Sequence, residues 1–130
     1  MTAGSSAAVK RQNIVIIDTG CANISSVKFA LERLHVAVTV SDDPAVINAS
    51  DKAFLPGVGS AQNAMASIAN KGLIETIQGL TQPILGVCLG MQLMTTTSQE
   101  SGLHSSDNVT CLDLIPGTVE RMQVGDLRLP

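Results

Sequence analysis

Aromatic residues are almost missing from this sequence: there is no Trp and no Tyr, only Phe29 and Phe54. A core without rings has to be filled by branched aliphatics, Met and Ala. The supply is adequate, since hydrophobic residues make up 45% of the 130. A surplus of positive charge is missing too. Eight Lys and Arg stand against eleven Asp and Glu, and the basic residues are scattered. Nucleic acid, which needs a basic face, is excluded as a partner. No apolar run approaches the roughly 18 residues of a membrane-spanning helix, so the chain reads as soluble and cytoplasmic. MTAGSSAAVKRQ lacks an apolar h-region and reads as a disordered tail over 1–12, not as a secretory signal. Cys21, Cys88 and Cys111 form no CxxC or CxxH pattern. That spacing suggests neither zinc nor a disulfide framework, and reduced thiols are expected.

What the sequence does have is alternation. NIVIID (13–18) is a continuous apolar run, the mark of a buried parallel strand. In SSVKFALERLH, Val27, Ala30, Leu31 and Leu34 trace one helix face. VAVTV (36–40) reads as a strand closed by SDDP, AVINA as a weak segment, and AFL (53–55) as a short strand broken by Pro56 and Gly57. Ala61, Ala64, Met65 and Ile68 mark a helix that Gly72 ends or kinks, and 73–80 adds a helical turn or two. PILGV (83–87) is a further strand, followed by a helix from Cys88 to about Thr97. NVTCLDLI, GTVERMQ and DLRLP look like β segments of a meander. Strands alternating with helices predict an α/β domain over 13–130: an open, mainly parallel sheet with helices on both faces. The chain stops among β segments, so the domain is expected to be incomplete at its C-terminal end. An exposed sheet edge and apolar surface, open to self-association or partner pairing, should result.

Three loops at strand ends hold unusual residues: Asp18-Thr19-Gly20, Pro56-Gly57-Val58-Gly59 and Gly86 to Gly90. In GVCLGMQ (86–92) the G-x-C-x-G pattern between strand and helix has the form of a nucleophile elbow with Cys in the Ser position. A helix N-terminus there would favour thiolate. The Leu89 amide would be one oxyanion donor, and the amide of Val58 or Gly59 the second. Gln92, four residues after Cys88, would share its helix face and contact a polar substrate. The plain alternative is Cys88 as a small buried hydrophobe, which two flanking glycines argue against. Cys21 and Cys111 read as structural, His35 as a helix cap, and His104 as part of an exposed Ser-rich loop. Asp42 and Asp43 read as a solvated turn, and Met91 and Met94 as core filler. The residues thus predict a cysteine nucleophile for acyl chemistry with no visible base.

PGVG followed by GVCLGMQ resembles the class I (triad) glutamine amidotransferases. IIDTGCANISSVKFAL, DKAFLPGVGSAQNAM, QPILGVCLGMQLM and LIPGTVERM...LRLP are similar to the family of glutaminase subunits of imidazole glycerol phosphate synthase, in histidine biosynthesis. The resemblance runs from about Asn13 to Pro130. It implies a flavodoxin-like three-layer fold and glutamine hydrolysis through a Cys88 thioester, with the Val58 and Leu89 amides holding the oxyanion. The Val58 peptide would reorient when a partner is engaged. Gly57, Gly59, Gln92 and Glu100 would bind glutamine. No cofactor or metal is implied. Ammonia would pass to a (β/α)8-barrel cyclase subunit, and Asn23 would lie near that interface or simply cap a helix. In that family the catalytic His and Glu follow beyond the position of Pro130, and neither His35 nor His104 matches. The 130 residues alone are therefore expected to turn over little glutamine. The competing readings are a non-catalytic cyclase-binding fragment and another cysteine-elbow hydrolase or redox protein.

Overall fold

Ile14–Ile17, four β-branched residues in a row, show no polar alternation because β1 is buried on both faces at the centre of a sheet. The computed structural model describes residues 11–100 and 108–128. Beside β1 lie β2 (Val38–Ser41) and β3 (Lys52–Gly57), with β4 (Ile84–Cys88) beyond β3, all parallel in the order β2-β1-β3-β4. The connections are α1 (Ile24–Arg33), α2 (Pro44–Asn48), and the pair α3 (Ala61–Asn70) and α4 (Ile74–Gln78). The first crossover steps outward from β1 and the later ones step the other way. Right-handed connections therefore put α1 on one face and α2 to α4 on the other. The reversal makes the carboxyl ends of β1 and β3 the switch point where a crevice opens.

The two faces are unequal. Val15, Ile17, Ala53 and Leu55 join residues of α2, α3 and α4 in one buried cluster. On the α1 side, Ile14 and Ile16 are buried, but α1 itself contributes no fully buried residue, and Leu34 of the anticipated apolar stripe is 70% exposed. Leu85 on β4 is 57% exposed on the same side. Among the described residues, no helix is long and apolar enough to cross a membrane.

Several sequence expectations need correction. Pro56 and Gly57 do not break β3: they pair with Val87 and Cys88 of β4. Pairing to β1 has already ended at Phe54, so the missing proline N–H costs no ladder bond on that side. The helix after Cys88 is short, α5 (Leu89–Leu93), and Thr95–Ser98 form β5. Consecutive β-branched Thr residues favour extended backbone, and Thr95 Oγ1 donates to the Gln92 carbonyl at 2.7 Å, closing the helix. With β6 (Val109–Thr110) and β7 (Ile115–Val119), β5 makes a second sheet in the order β6-β5-β7. It is not a meander, since β5 and β7 are parallel. DLRLP forms no strand among its described residues, 126–128. Met91 is exposed, not core, whereas Met94 packs against the cluster. Asp43 caps α2 by accepting from the Ala45 N–H at 2.9 Å, and Asp42 pairs with Lys71, so this is more than a solvated turn. His35 closes α1 through its backbone. It adopts φ +58 while its N–H and that of Val36 bond to the Glu32 and Leu31 carbonyls, the glycine-type helix stop. Residues 1–10 of the anticipated tail, and His104, lie outside the described residues.

What positions the site is the seat of α5. A Cβ on Gly90 would stand 1.8 Å from the Leu55 carbonyl oxygen. One on Gly86 would stand 2.7 Å from the Met91 Cα, and one on Gly57 2.7 Å from the Gly90 nitrogen. The helix thus lies backbone against backbone on β3 and β4. Gly72, in contrast, has φ +69 and open space around it. Gly90→Ala is expected to cost about 3 kcal/mol or more through overpacking. Gly72→Ala should cost only about 1 kcal/mol, for its backbone conformation alone. Urea unfolding of the two variants checks this order.

Candidate active site

Cys88 is both the last residue of β4 and the N-cap of α5, with φ 56° and ψ −122°. A non-glycine residue there carries about 1–3 kcal/mol of backbone strain. The sharp reversal leaves the Cys88 side chain exposed while Leu89 and Gly90 are buried directly behind it. This is the strand–elbow–helix geometry of a presented nucleophile. The Leu89 N–H belongs to the first turn of α5, where amides have no intrahelical acceptor.

Register brings the second loop alongside. Gly57 pairs with Cys88, so Val58 and Gly59 continue beside the thiol. Gly59 has φ +90, a conformation that favours glycine. Val58 exposes its side chain, and its N–H donates to the Cys21 carbonyl at 2.9 Å. That amide is directed at the β1 loop, away from a role beside Cys88. The loop that holds it is itself braced. Asp18 Oδ1 accepts from the Gly20 N–H at 3.0 Å, and Ser67 Oγ donates to the carbonyl of the fully buried Thr19. Lys71 Nζ lies 3.0 Å from Asp42 and 3.9 Å from Asp18. Asn23 Oδ1 accepts from the Ser26 N–H and caps α1.

Gln92 and Glu100 line one cavity of about 290 Å³, together with Gln99, Val119, Glu120 and Arg121. Gln92 Oε1 is buried with no hydrogen-bond partner among the described residues. The Glu100 backbone is pinned: its N–H donates to Ser98 Oγ at 3.1 Å, and its carbonyl accepts from the Ala61 N–H at 3.1 Å. Gln99, Glu120 and Arg121 were missed by sequence reasoning. They meet Gln92 only because β5 and β7 run side by side, and short β segments carry no signal for that pairing.

The other candidates stand apart. Cys111 is buried, and burial pushes its thiol pKa up, away from reactivity. Cys21 is half-buried, its Sγ 3.9 Å from the Asn63 carbonyl. His35 closes α1 at the amino edge of the sheet, opposite the carboxyl edge that bears Cys88. Among the described residues, no cluster of His, Cys, Asp and Glu converges to hold a metal.

The family model for class-I glutamine amidotransferases matches residues 15–126. The chain belongs to this family. It is 56% identical over 119 residues to the imidazole glycerol phosphate synthase subunit HisH of Vibrio cholerae, covering 92% of this chain and 59% of that relative. A HisH 1 subunit of Vibrio vulnificus is 53% identical, with 92% and 58% covered. The HisH subunit of Shewanella oneidensis is 52% identical over 120 residues, with 89% and 54% covered. The chain therefore spans somewhat more than half the length of these relatives. Within this amidotransferase domain the elbow, the PGVG loop and the Gln92 cavity all lie on the carboxyl side of the sheet.

Two outcomes test this geometry. Because Cys88 holds a positive φ, Cys88→Gly should be more stable than Cys88→Ala by about 1 kcal/mol, read by chemical denaturation. The brace has its own signature. The hydrogen bond from Lys71 lowers the Asp42 pKa below its ordinary 3.8, and the same bond raises Lys71 above 10.5. The pair's contribution is then fully present between those values. It fades as pH falls below 3.8 through the lowered Asp42 pKa, and again as Lys71 titrates above 10.5. The melting-temperature gap between wild type and Asp42→Asn should close in strong acid and at high salt.

Proposed function

We propose that this chain is the glutaminase part of an imidazole glycerol phosphate synthase and acts in histidine biosynthesis in the cytoplasm. The observation that carries the reading is Cys88 at the strained elbow, exposed and backed by Gly86 and Gly90, in a chain of this family. The Cys88 thiolate attacks the side-chain carboxamide carbon of glutamine. The tetrahedral adduct collapses with loss of ammonia to a glutamyl thioester, and water then releases glutamate and regenerates the thiol. The Leu89 N–H supplies one oxyanion donor. Val58 can supply the second only after its N–H leaves the Cys21 carbonyl. A single such bond is worth about 1 kcal/mol net, less than the binding free energy of a partner or substrate. Gly57 and Gly59 let the loop lie close to the substrate, and Gln92 and Glu100 hold it. Ammonia passes to a (β/α)8-barrel cyclase subunit that engages the carboxyl face near Asn23.

Proton transfer is the step for which the described residues place no group beside Cys88. The departing ammonia needs a proton donor beside Cys88, and His35 sits at the opposite edge of the sheet. The second reading, a cyclase-binding fragment without turnover, draws on that observation. Glutamate release should be measured for the chain with and without a cyclase subunit and its nucleotide ligand, beside Cys88→Ala. Turnover lost in Cys88→Ala supports the enzyme reading. Binding of the cyclase without turnover by the wild type supports the fragment. Turnover unchanged in Cys88→Ala sinks the thioester mechanism.

A further inference from the structure

We propose that Ser67 is a positioning residue for oxyanion formation: its grip on the β1 loop sets how often the Val58 amide is released toward Cys88. The role rests on the glutaminase reading and deepens it by naming what regulates the donor. Residues 18–21 are held from α3. Ser67 Oγ donates to the Thr19 carbonyl, and the fully buried Thr19 accepts the Cys21 N–H on its Oγ1 at 3.3 Å. The Gly20 N–H is taken by Asp18 Oδ1 at 3.0 Å. Gly20 has φ +84, and a Cβ there would stand 2.7 Å from Ser67 Oγ, so the loop lies directly against the hydroxyl. With these groups fixed, the Cys21 carbonyl is aimed at the Val58 N–H, which donates to it at 2.9 Å.

The donor side has less support. Gly57 is fixed by pairing with Cys88, and Ser60 is fixed as the N-cap of α3, where its Oγ accepts from the Asn63 N–H at 3.2 Å. Between these points lie Val58, with an exposed side chain, and Gly59, at φ +90 with open space around it. The same helix thus carries the donor loop at its N-cap and clamps the acceptor loop along its side. The Val58 peptide can turn between them without moving either α3 or β1. Lys71, one turn beyond Ser67, reaches the β1 loop through Asp18 at 3.9 Å and also pairs with Asp42 at 3.0 Å. These ion pairs are partly exposed to solvent and contribute little. The Ser67 bond is part-buried, where a hydrogen bond to a carbonyl is stronger. Ser67 therefore carries the larger share of the grip.

The test is hydrogen exchange of the Val58 amide in the free chain, read by NMR against the Val15 and Ile17 amides of β1. Ser67→Ala should speed Val58 exchange about three- to tenfold relative to those amides, the scale of one hydrogen bond. Gly20→Ala, whose Cβ displaces the Ser67 hydroxyl, should do the same, and Lys71→Met should do less. Equal acceleration at Val58, Val15 and Ile17 means a merely structural role and overturns the proposal, as does unchanged Val58 exchange. Either result leaves the glutaminase reading standing. The chemical consequence is read with p-nitrophenyl acetate, whose leaving group needs no proton donor. The Cys88 thiolate attacks the ester carbonyl carbon, the C–O bond breaks with its electron pair going to nitrophenolate, and an acetyl thioester remains. The part of this burst lost in Cys88→Ala should quicken in Ser67→Ala by the same factor as Val58 exchange. Alkylation of Cys88 by iodoacetamide, which forms no oxyanion, should keep its rate. A burst that does not follow the exchange removes Val58 as oxyanion donor, and the proposal with it. A wild-type burst unaffected by Cys88→Ala removes the thioester reading on which the proposal stands.

Discussion

The contact between the Gly90 backbone and the Leu55 carbonyl governs the site. With no Cβ at Gly90, α5 sinks onto β3 until main chain meets main chain, and Gly57 and Gly86 open the rest of the seat. A helix lying that low, starting directly from the end of β4, leaves no room for a gradual turn. The chain has to reverse within one residue, and that residue is Cys88, at φ 56°. The exposure of the thiol thus follows from glycines two residues to either side of it. The strain of roughly 1–3 kcal/mol is sustained by the buried flanks Leu89 and Leu93, each worth about as much in apolar burial.

The second constraint is topological. Because the strand order reverses between β1 and β3, the loops after these two strands are neighbours at the carboxyl edge. A hydrogen bond joins them, from the Val58 N–H to the Cys21 carbonyl. The two ends of that bond are held with unequal firmness. The Cys21 side is braced through Thr19, Ser67, Asp18 and Lys71, while Val58 is an exposed residue preceding a glycine at φ +90. Any rearrangement of this contact therefore falls on the Val58 peptide.

The features legible in the sequence were those written by local sterics. The uninterrupted run Ile14–Ile17 marks a strand covered on both sides, and Gly86 and Gly90 flanking Cys88 mark a turn too tight for side chains. Gly72 ends a helix as a left-handed residue must. The illegible features were made by distant partners. Pro56 reads as a strand breaker until β4 is seen beside it and β1 is seen to have ended. Thr95–Ser98 continues a helical stretch in sequence but is drawn into β structure by β7, more than a dozen residues away. Val58 looks like a free amide in PGVG because nothing local points to Cys21. Gln92 follows from helical spacing, whereas Glu100 came through family resemblance alone and Arg121 not at all. The cavity joining them depends on a parallel strand pair that short β segments do not announce.

Placement of the site on one face of the sheet separates what this chain holds firmly from what it does not. Ile16, Phe54 and Leu85 share one row across β1, β3 and β4, and their burial falls from complete, through partial, to largely exposed. On the opposite face, α2 to α5 cover the sheet with a continuous cluster that includes Leu89 and Leu93 of the elbow helix. Cys88 and the Gln92 cavity thus rest on the packed face, and their geometry does not depend on cover over Leu85. Acid–base chemistry has no such anchor among the described residues, since His35 belongs to the amino edge. Presentation of the Cys88 thiol is thus set by the β4–α5 elbow alone, so single-hit labelling of Cys88 reads that geometry without calling on any acid–base partner.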